Sequence, residues 1–114
     1  MSFMMGQRKT EGVTVLYLSG RIVLGEDSTR LVETLKDLAA SGEKWILLNL
    51  GEVTYVDSAG LGALVRSHTA VAKQNGKLKL VQVPAKVQTL LRITKLQHLF
   101  EMFDDETTAV ASFS

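Results

Sequence analysis

Residues 45–50, Trp-Ile-Leu-Leu-Asn-Leu, form a short and almost unbroken apolar run. A strand solvated on one face alternates apolar with polar residues; a strand buried on both faces does not, and such strands belong to parallel sheets covered by helices. After the run the period changes. Leu61, Leu64, Val65, His68, Val71 and Ala72 share one face of a helix with 3.6 residues per turn. A doubly buried strand that leads into an amphipathic helix constrains the chain to an α/β architecture, because the strand needs neighbours and the helix needs a sheet to lie on.

The remaining segments repeat that alternation. Residues 13–19 carry Val13, Val15 and Tyr17 on one side and Thr14, Leu16 and Leu18 on the other, a strand usable on both faces. Gly20 interrupts it, and residues 21–24 read as a short second strand of an initial hairpin. Gly25-Glu26-Asp27-Ser28 opens a helix with Asp27 or Ser28 as cap and Leu31, Val32, Leu35, Leu38 and Ala39 inward; Ser41-Gly42 closes it. The helix that follows residues 45–50 runs from Leu61 to Gln74 and stops at Asn75-Gly76. Residues 77–83 read as a strand whose beginning, with Lys77 and Lys79, is solvated. Pro84 suits the first turn of a third helix that turns Val87, Leu90, Leu91 and Thr94 inward. Residues 99–103 read as a last strand, and Asp104-Asp105 as the start of a terminal helix. The expected fold is a single α/β domain over residues 1–114. It has a mixed, mostly parallel sheet of four to five strands and about four helices, with residues 1–10 as a loosely ordered extension.

Composition narrows the function classes. Thirteen basic residues against twelve acidic leave a net charge of +1, which is no footprint for nucleic acid. The chain has no cysteine, so disulfides and thiolate metal sites are excluded. No apolar run approaches the roughly 18 residues of a membrane span, and the first ten residues do not resemble a secretion signal. A cytoplasmic protein that binds neither membrane nor nucleic acid is expected.

The chemistry concentrates in Tyr55-Val56-Asp57-Ser58-Ala59-Gly60-Leu61-Gly62, where a strand hands over to a helix N-terminus. Backbone N–H groups there lack intrahelical partners, and the helix dipole favours anions. Three roles are open to Ser58. It can cap the helix, as can Asp57. It can act as a nucleophile, although a nucleophile elbow would need glycine where Val56 stands. The only candidate bases are His68, ten residues on and so roughly 15 Å along the axis, and His98 at an element boundary. It can also carry a phosphate, which adds roughly −1.5 to −2 charges to a neutral surface. Gly60 and Gly62 each cost a helix roughly 1 kcal/mol relative to Ala, so each calls for a reason. Either something approaches that backbone closely, or the helix start packs tightly on the sheet.

This segment resembles the phosphoacceptor motif Asp-Ser-(Ser/Thr/Ala)-Gly-Leu-Gly of the STAS domain family, the fold of sulfate-transporter domains and anti-sigma factor antagonists. Leu18-Ser19-Gly20-Arg21-Ile22, Leu47-Leu48-Asn49-Leu50 and Leu78-Lys79-Leu80-Val81 support the resemblance, which runs from about Val13 to Phe113. It is nearest to the stand-alone bacterial antagonists. The resemblance implies a protein-binding module with no catalytic activity and no cofactor of its own. Its partners would be an anti-sigma factor that is a serine kinase, which brings ATP and Mg²⁺, and a serine phosphatase. Ser58 would be the phosphorylated residue. Tyr55, Asp57, Ala59, Gly60, Leu61 and Gly62 would form the partner surface, with Glu26, Asp27 and Arg66 as outlying contacts. Tyr55, Leu61 and the glycines would then make an exposed apolar patch. Asn49 departs from the pattern, standing where many relatives have Asp.

Other classes make different forecasts. A scaffold-type STAS module would assemble into large particles, whereas a switching antagonist would be a monomer or weak dimer. A nucleotide- or small-ligand-binding domain would bind GTP or ATP at the same helix N-terminus. The segment lacks Gly-x-x-x-x-Gly-Lys-(Ser/Thr) and has no lysine beside its glycines.

Overall fold

The structure is a computed structural model that describes residues 3–114. It contains five strands, β1 (Met4–Thr10), β2 (Val13–Ile22), β3 (Trp45–Val56), β4 (Lys77–Val81) and β5 (Met102–Phe103). Four helices accompany them: α1 (Glu26–Ala40), α2 (Ser58–Lys73), α3 (Ala85–Ile93) and α4 (Glu106–Ala111). The strands lie in chain order in one sheet. β1 is antiparallel to β2, and every other pair is parallel. Three successive parallel pairings require three crossovers, and right-handed crossovers between adjacent strands put their helices on the same face. That face holds the larger core, where Leu16, Leu18, Ile46, Leu48, Leu78 and Leu80 meet Leu31 and Leu35 of α1 and Leu64 of α2. The other face is thinner: Val13, Val15, Leu47 and Val81 lie beneath Ala109 and Phe113. β3 contributes to both, hence its unbroken apolar sequence.

Two expectations about the first 24 residues fail. Of the supposed loose extension, residues 1–2 lie outside the described residues and Met4–Thr10 form β1, and the hairpin turns at Glu11-Gly12, both with positive φ (52° and 79°), as a two-residue connection between twisted strands demands. Phe3, just before β1, is buried, and its carbonyl accepts from the Arg30 side chain at 2.6 Å. Gly20 is not a hairpin turn. It lies inside β2 with φ 91°, at an irregularity where the β2–β3 register shifts on either side.

Lys79 also departs from expectation. It is buried on the thin face, donating to the Ser112 carbonyl (3.1 Å) and hydroxyl (3.0 Å), with its ammonium 4.6 Å from the centre of the Phe113 ring. A cation at the carboxyl end of α4 suits the dipole there. Tyr17 and Arg8 both donate to Glu106 at the other end of α4. The small helix is thus held by polar contacts at each end as well as by its apolar side.

Because the parallel strands share one direction, α1, α2 and α3 all begin on the same rim, at the carboxyl ends of β2, β3 and β4. Open α/β sheets present their binding surfaces on this rim.

Candidate functional site

β3 ends at Val56, and Asp57 turns the chain into α2 with extended backbone angles (φ −92°, ψ −176°). Its carboxylate makes two contacts. Oδ1 accepts the Gly60 N–H at 2.7 Å, the N-cap bond of α2, and Oδ2 accepts the Leu24 N–H at 3.1 Å. One side chain therefore caps a helix and ties it to the β2–α1 connection. The Gly60 N–H, and next the Leu24 N–H, hold the Asp57 carboxyl below its usual pKa, so it is ionised at neutral pH.

With the cap supplied by Asp57, Ser58 is released from that duty. It is the first residue of α2 and is exposed. Of the two cap candidates, Ser58 and Asp57, the structure uses Asp57. A nucleophile role finds no support in the geometry. His68, two to three turns along the same helix, lies edge-on to Phe100 with ring centroids 5.4 Å apart, and burial pushes its pKa down. No group of metal-ligating side chains occurs among the described residues.

The two glycines have different reasons. A Cβ on Gly60 would lie 2.0 Å from the Ile22 carbonyl oxygen, so Gly60 lets the helix start press against the end of β2. A Cβ on Gly62 would meet only the Arg66 guanidinium, at 3.2 Å. Gly62 is partly exposed, one turn below Ser58, and keeps the surface flat. Gly60 and Leu61 are buried, so neither offers a side to a partner, which corrects their expected place on the surface. The N–H of Gly60 is also committed to Asp57, and that of Leu61 to the Asp57 carbonyl at 2.9 Å.

Of the apolar residues expected to be exposed, Tyr55 is and Leu61 is not, and Leu24, which was not among them, is. Tyr55 is 50% exposed and Leu24 is 80% exposed, one on each side of the Asp57 clip. The Arg21 guanidinium lies over the Tyr55 ring, 5.2 Å from its centroid. Behind Tyr55 an apolar cleft of about 330 Å³ runs between Val53 and Val56 of β3 and Pro84, Val87 and Leu90 of the α3 region. Leu24 and Arg21 escaped the sequence reading; the available signal was a lone leucine before Gly25-Glu26 with no periodic partner.

Glu26 is exposed and Asp27 half-buried in the first turn of α1. Neither Asp27 nor Ser28 caps that helix, contrary to expectation: Gly25 occupies the cap position without a side-chain bond, and Ser28 donates instead to the Val23 carbonyl. The Leu24–Asp57 bond ties the connection just before this acidic turn to the start of α2. Ala59 is partly exposed next to it. Arg66 is exposed two turns beyond Ser58, and its guanidinium reaches back over Gly62. Asn49 is buried, and its Oδ1 accepts from the Gly51 N–H at 2.9 Å, an internal backbone contact made just where β4 stops pairing with β3.

No helix among the described residues is long and apolar enough to cross a membrane. The anti-sigma-B factor antagonist of Bacillus subtilis is 36% identical to this chain over 72 residues, 63% of the chain and 65% of that relative. An anti-sigma factor antagonist from Mycobacterium paratuberculosis shares the fold with a TM-score of 0.81 at 19% identity, over 97% of this chain and 93% of the other. The anti-sigma factor antagonist SpoIIAA matches in its unphosphorylated form with a TM-score of 0.72, at 14% identity over 96% and 94% of the two chains. Its phosphorylated form, from Bacillus, matches with 0.73, at 16% identity over 96% and 97%. The family model of the STAS domain covers residues 6–109, and the chain belongs to the STAS domain family.

Proposed function

We propose that this chain is an anti-sigma factor antagonist switched by phosphorylation of Ser58. In its unphosphorylated form it docks an anti-sigma factor on the rim formed by Leu24, Tyr55, Ser58, Ala59 and Gly62, and so frees a sigma factor. The anti-sigma factor is a serine kinase that supplies ATP and Mg²⁺; it phosphorylates Ser58 and leaves. A serine phosphatase restores the docking form. The chain acts in the cytoplasm as a monomer or weak dimer and takes part as substrate and ligand.

The observation that carries this reading is the uncommitted, exposed hydroxyl of Ser58 at a helix start that Asp57 has already capped. The names of its relatives agree with it. A phosphate there adds roughly −1.5 to −2 charges. For the host the addition is mild, since the α2 dipole favours an anion at its N-terminus. For a docked partner it is severe. The phosphate puts bulk on a flat surface and adds its charge to that of the ionised Asp57 next to it. A penalty of about 3 kcal/mol weakens binding more than a hundredfold.

The test is calorimetric titration of the anti-sigma factor kinase into three forms of the chain, with intact-mass analysis after incubation with ATP. Wild type and Ser58→Ala bind alike, only wild type gains a phosphate, and the phosphorylated form binds at least a hundredfold more weakly. A phosphorylated chain that binds as tightly as the unmodified one would end the proposal.

A further inference from the structure

The exposed edge of α2 does not stop at Ser58. It continues through Gly62 and Arg66 to Lys73, and beside its second half a groove of about 480 Å³ opens against α1. Lys36 and Ala40 line it from α1, and Arg66, Thr69, Ala70 and Lys73 from α2. The two alanines and the aliphatic stems of the long side chains form its floor, with the charges at its lip. The three ion pairs among the described residues, Arg8–Glu106, Lys9–Glu43 and Lys79–Glu101, all lie elsewhere. Lys36, Arg66 and Lys73 thus line the groove with no carboxylate within ion-pairing distance among the described residues. α2 has no acidic residue from end to end, and the nearest carboxylates along α1, Glu33 and Asp37, are not within ion-pairing distance of these cations. In a chain of net charge +1 this is a local concentration of one sign.

We propose that this groove is a second docking surface for the anti-sigma factor and receives an acidic amphipathic helix of that partner. The inference rests on the reading of Ser58 given above and extends the same interface along α2. The cations are spread out, which argues for a string of carboxylates rather than one small anion: Arg66 and Lys73 are two turns apart, roughly 10 Å along the axis, and the Arg66 guanidinium reaches back over Gly62, away from Lys73. The apolar floor accepts the alternate, apolar side of such a helix. Gly62 and Ala70 keep this edge low, and the exposed Arg66 between them is the cation that a partner following α2 from Ser58 into the groove meets first. Cations at such a lip act mainly by steering the encounter, and their effect fades with salt.

Lys36→Glu/Lys73→Glu is the informative variant, since both side chains are exposed and remote from Asp57 and Ser58. The first probe is a synthetic 16-residue helical peptide with one leucine face and one glutamate face, titrated into isotope-labelled chain. It shifts the amide resonances of Lys36, Ala40, Ala70 and Lys73 in wild type and binds the variant about tenfold more weakly. Absence of those shifts, or equal binding to the variant, overturns the groove as an acidic-helix site. The second probe is the kinase used for the Ser58 test. The variant associates about tenfold more slowly at low salt, and the difference narrows at high salt. An unchanged association rate overturns the groove's role in that interface while leaving the Ser58 switch intact. A kinase that distinguishes wild type from the groove variant but ignores Ser58 phosphorylation would overturn the switch instead.

Discussion

α1 and α2 start side by side on one rim, joined by the bond from Leu24 to Asp57, yet they start in opposite ways. α1 enters through Gly25 (φ 120°, ψ −152°), has no side-chain cap, and carries Glu26 and Asp27 in its first turn. α2 enters through a capping Asp57 and has no acidic residue in its first turn. At α1 two carboxylates lie in the first turn without capping it, whereas at α2 the one carboxylate, Asp57, is engaged by the Gly60 and Leu24 N–H groups and the next side chain is neutral. The difference between the two starts is what the proposed switching at Ser58 rests on, and four measurements break or sharpen it.

The largest effect is expected at Gly60. Its close approach to the Ile22 carbonyl sets the height of α2 above β2, and backbone oxygen cannot swing aside as a side chain can. Gly60→Ala should lose about 3 kcal/mol or more in urea unfolding. Gly62→Ala, two residues on, meets only the mobile end of Arg66 and gains helix propensity, so it should be neutral or stabilised by up to about 1 kcal/mol. Equal midpoints for the two variants would refute the distinction between a packing glycine and a surface glycine. Gly25→Ala comes next. Space is free around that position, but its backbone conformation is nearly closed to other residues. A loss of about 1–3 kcal/mol is expected from strain alone, and a variant as stable as wild type would show that α1 can start as α2 does.

Much of this contrast was legible in the sequence, and the parts that were not have definite causes. The long periodic segments gave the α/β class, because Leu31, Leu35 and Leu64 follow the helical period and residues 45–50 are buried on both sides. β1 was invisible because it is an edge strand of Met-Met-Gly-Gln-Arg-Lys-Thr, most of it exposed; its burial gives no alternation to read. Gly20 misled because a glycine inside a strand at an irregularity looks like one in a turn. Ser58 could be found from its motif, but its freedom could not, since that depends on which carboxylate takes the Gly60 N–H. Leu61 was misplaced on the surface although it also belongs to the apolar helical face. Lys79 looked solvated because the sequence does not reveal that α4 returns to cover it.

A smaller effect is expected at Asp57, where one carboxylate serves both starts. Its folded pKa is depressed, so it contributes stability that is present above the unfolded value near 4 and is lost as pH falls through the folded pKa. Asp57→Ala should therefore melt about 4 °C lower than wild type at pH 7, with the gap closing as the solution is acidified below about pH 4. Amide exchange sharpens the point. Both the Leu24 and the Gly60 N–H should lose protection together, whereas a change confined to Gly60 would mean that the tie to α1 contributes nothing.

The smallest effect on stability, and the one on which the comparison finally turns, is expected from Ser58→Asp. The new carboxylate enters the first turn of α2, where the dipole favours it by about 0.3–1 kcal/mol, while Asp57 beside it repels it by a similar amount. The two nearly cancel, so unfolding should shift by no more than about 0.5 kcal/mol, while binding to the anti-sigma factor falls sharply. The variant gives α2 the kind of acidic start that α1 has always had. If it instead unfolded the chain, loss of binding would follow from loss of structure, and the neutrality of the α2 start would be a requirement of folding rather than of switching.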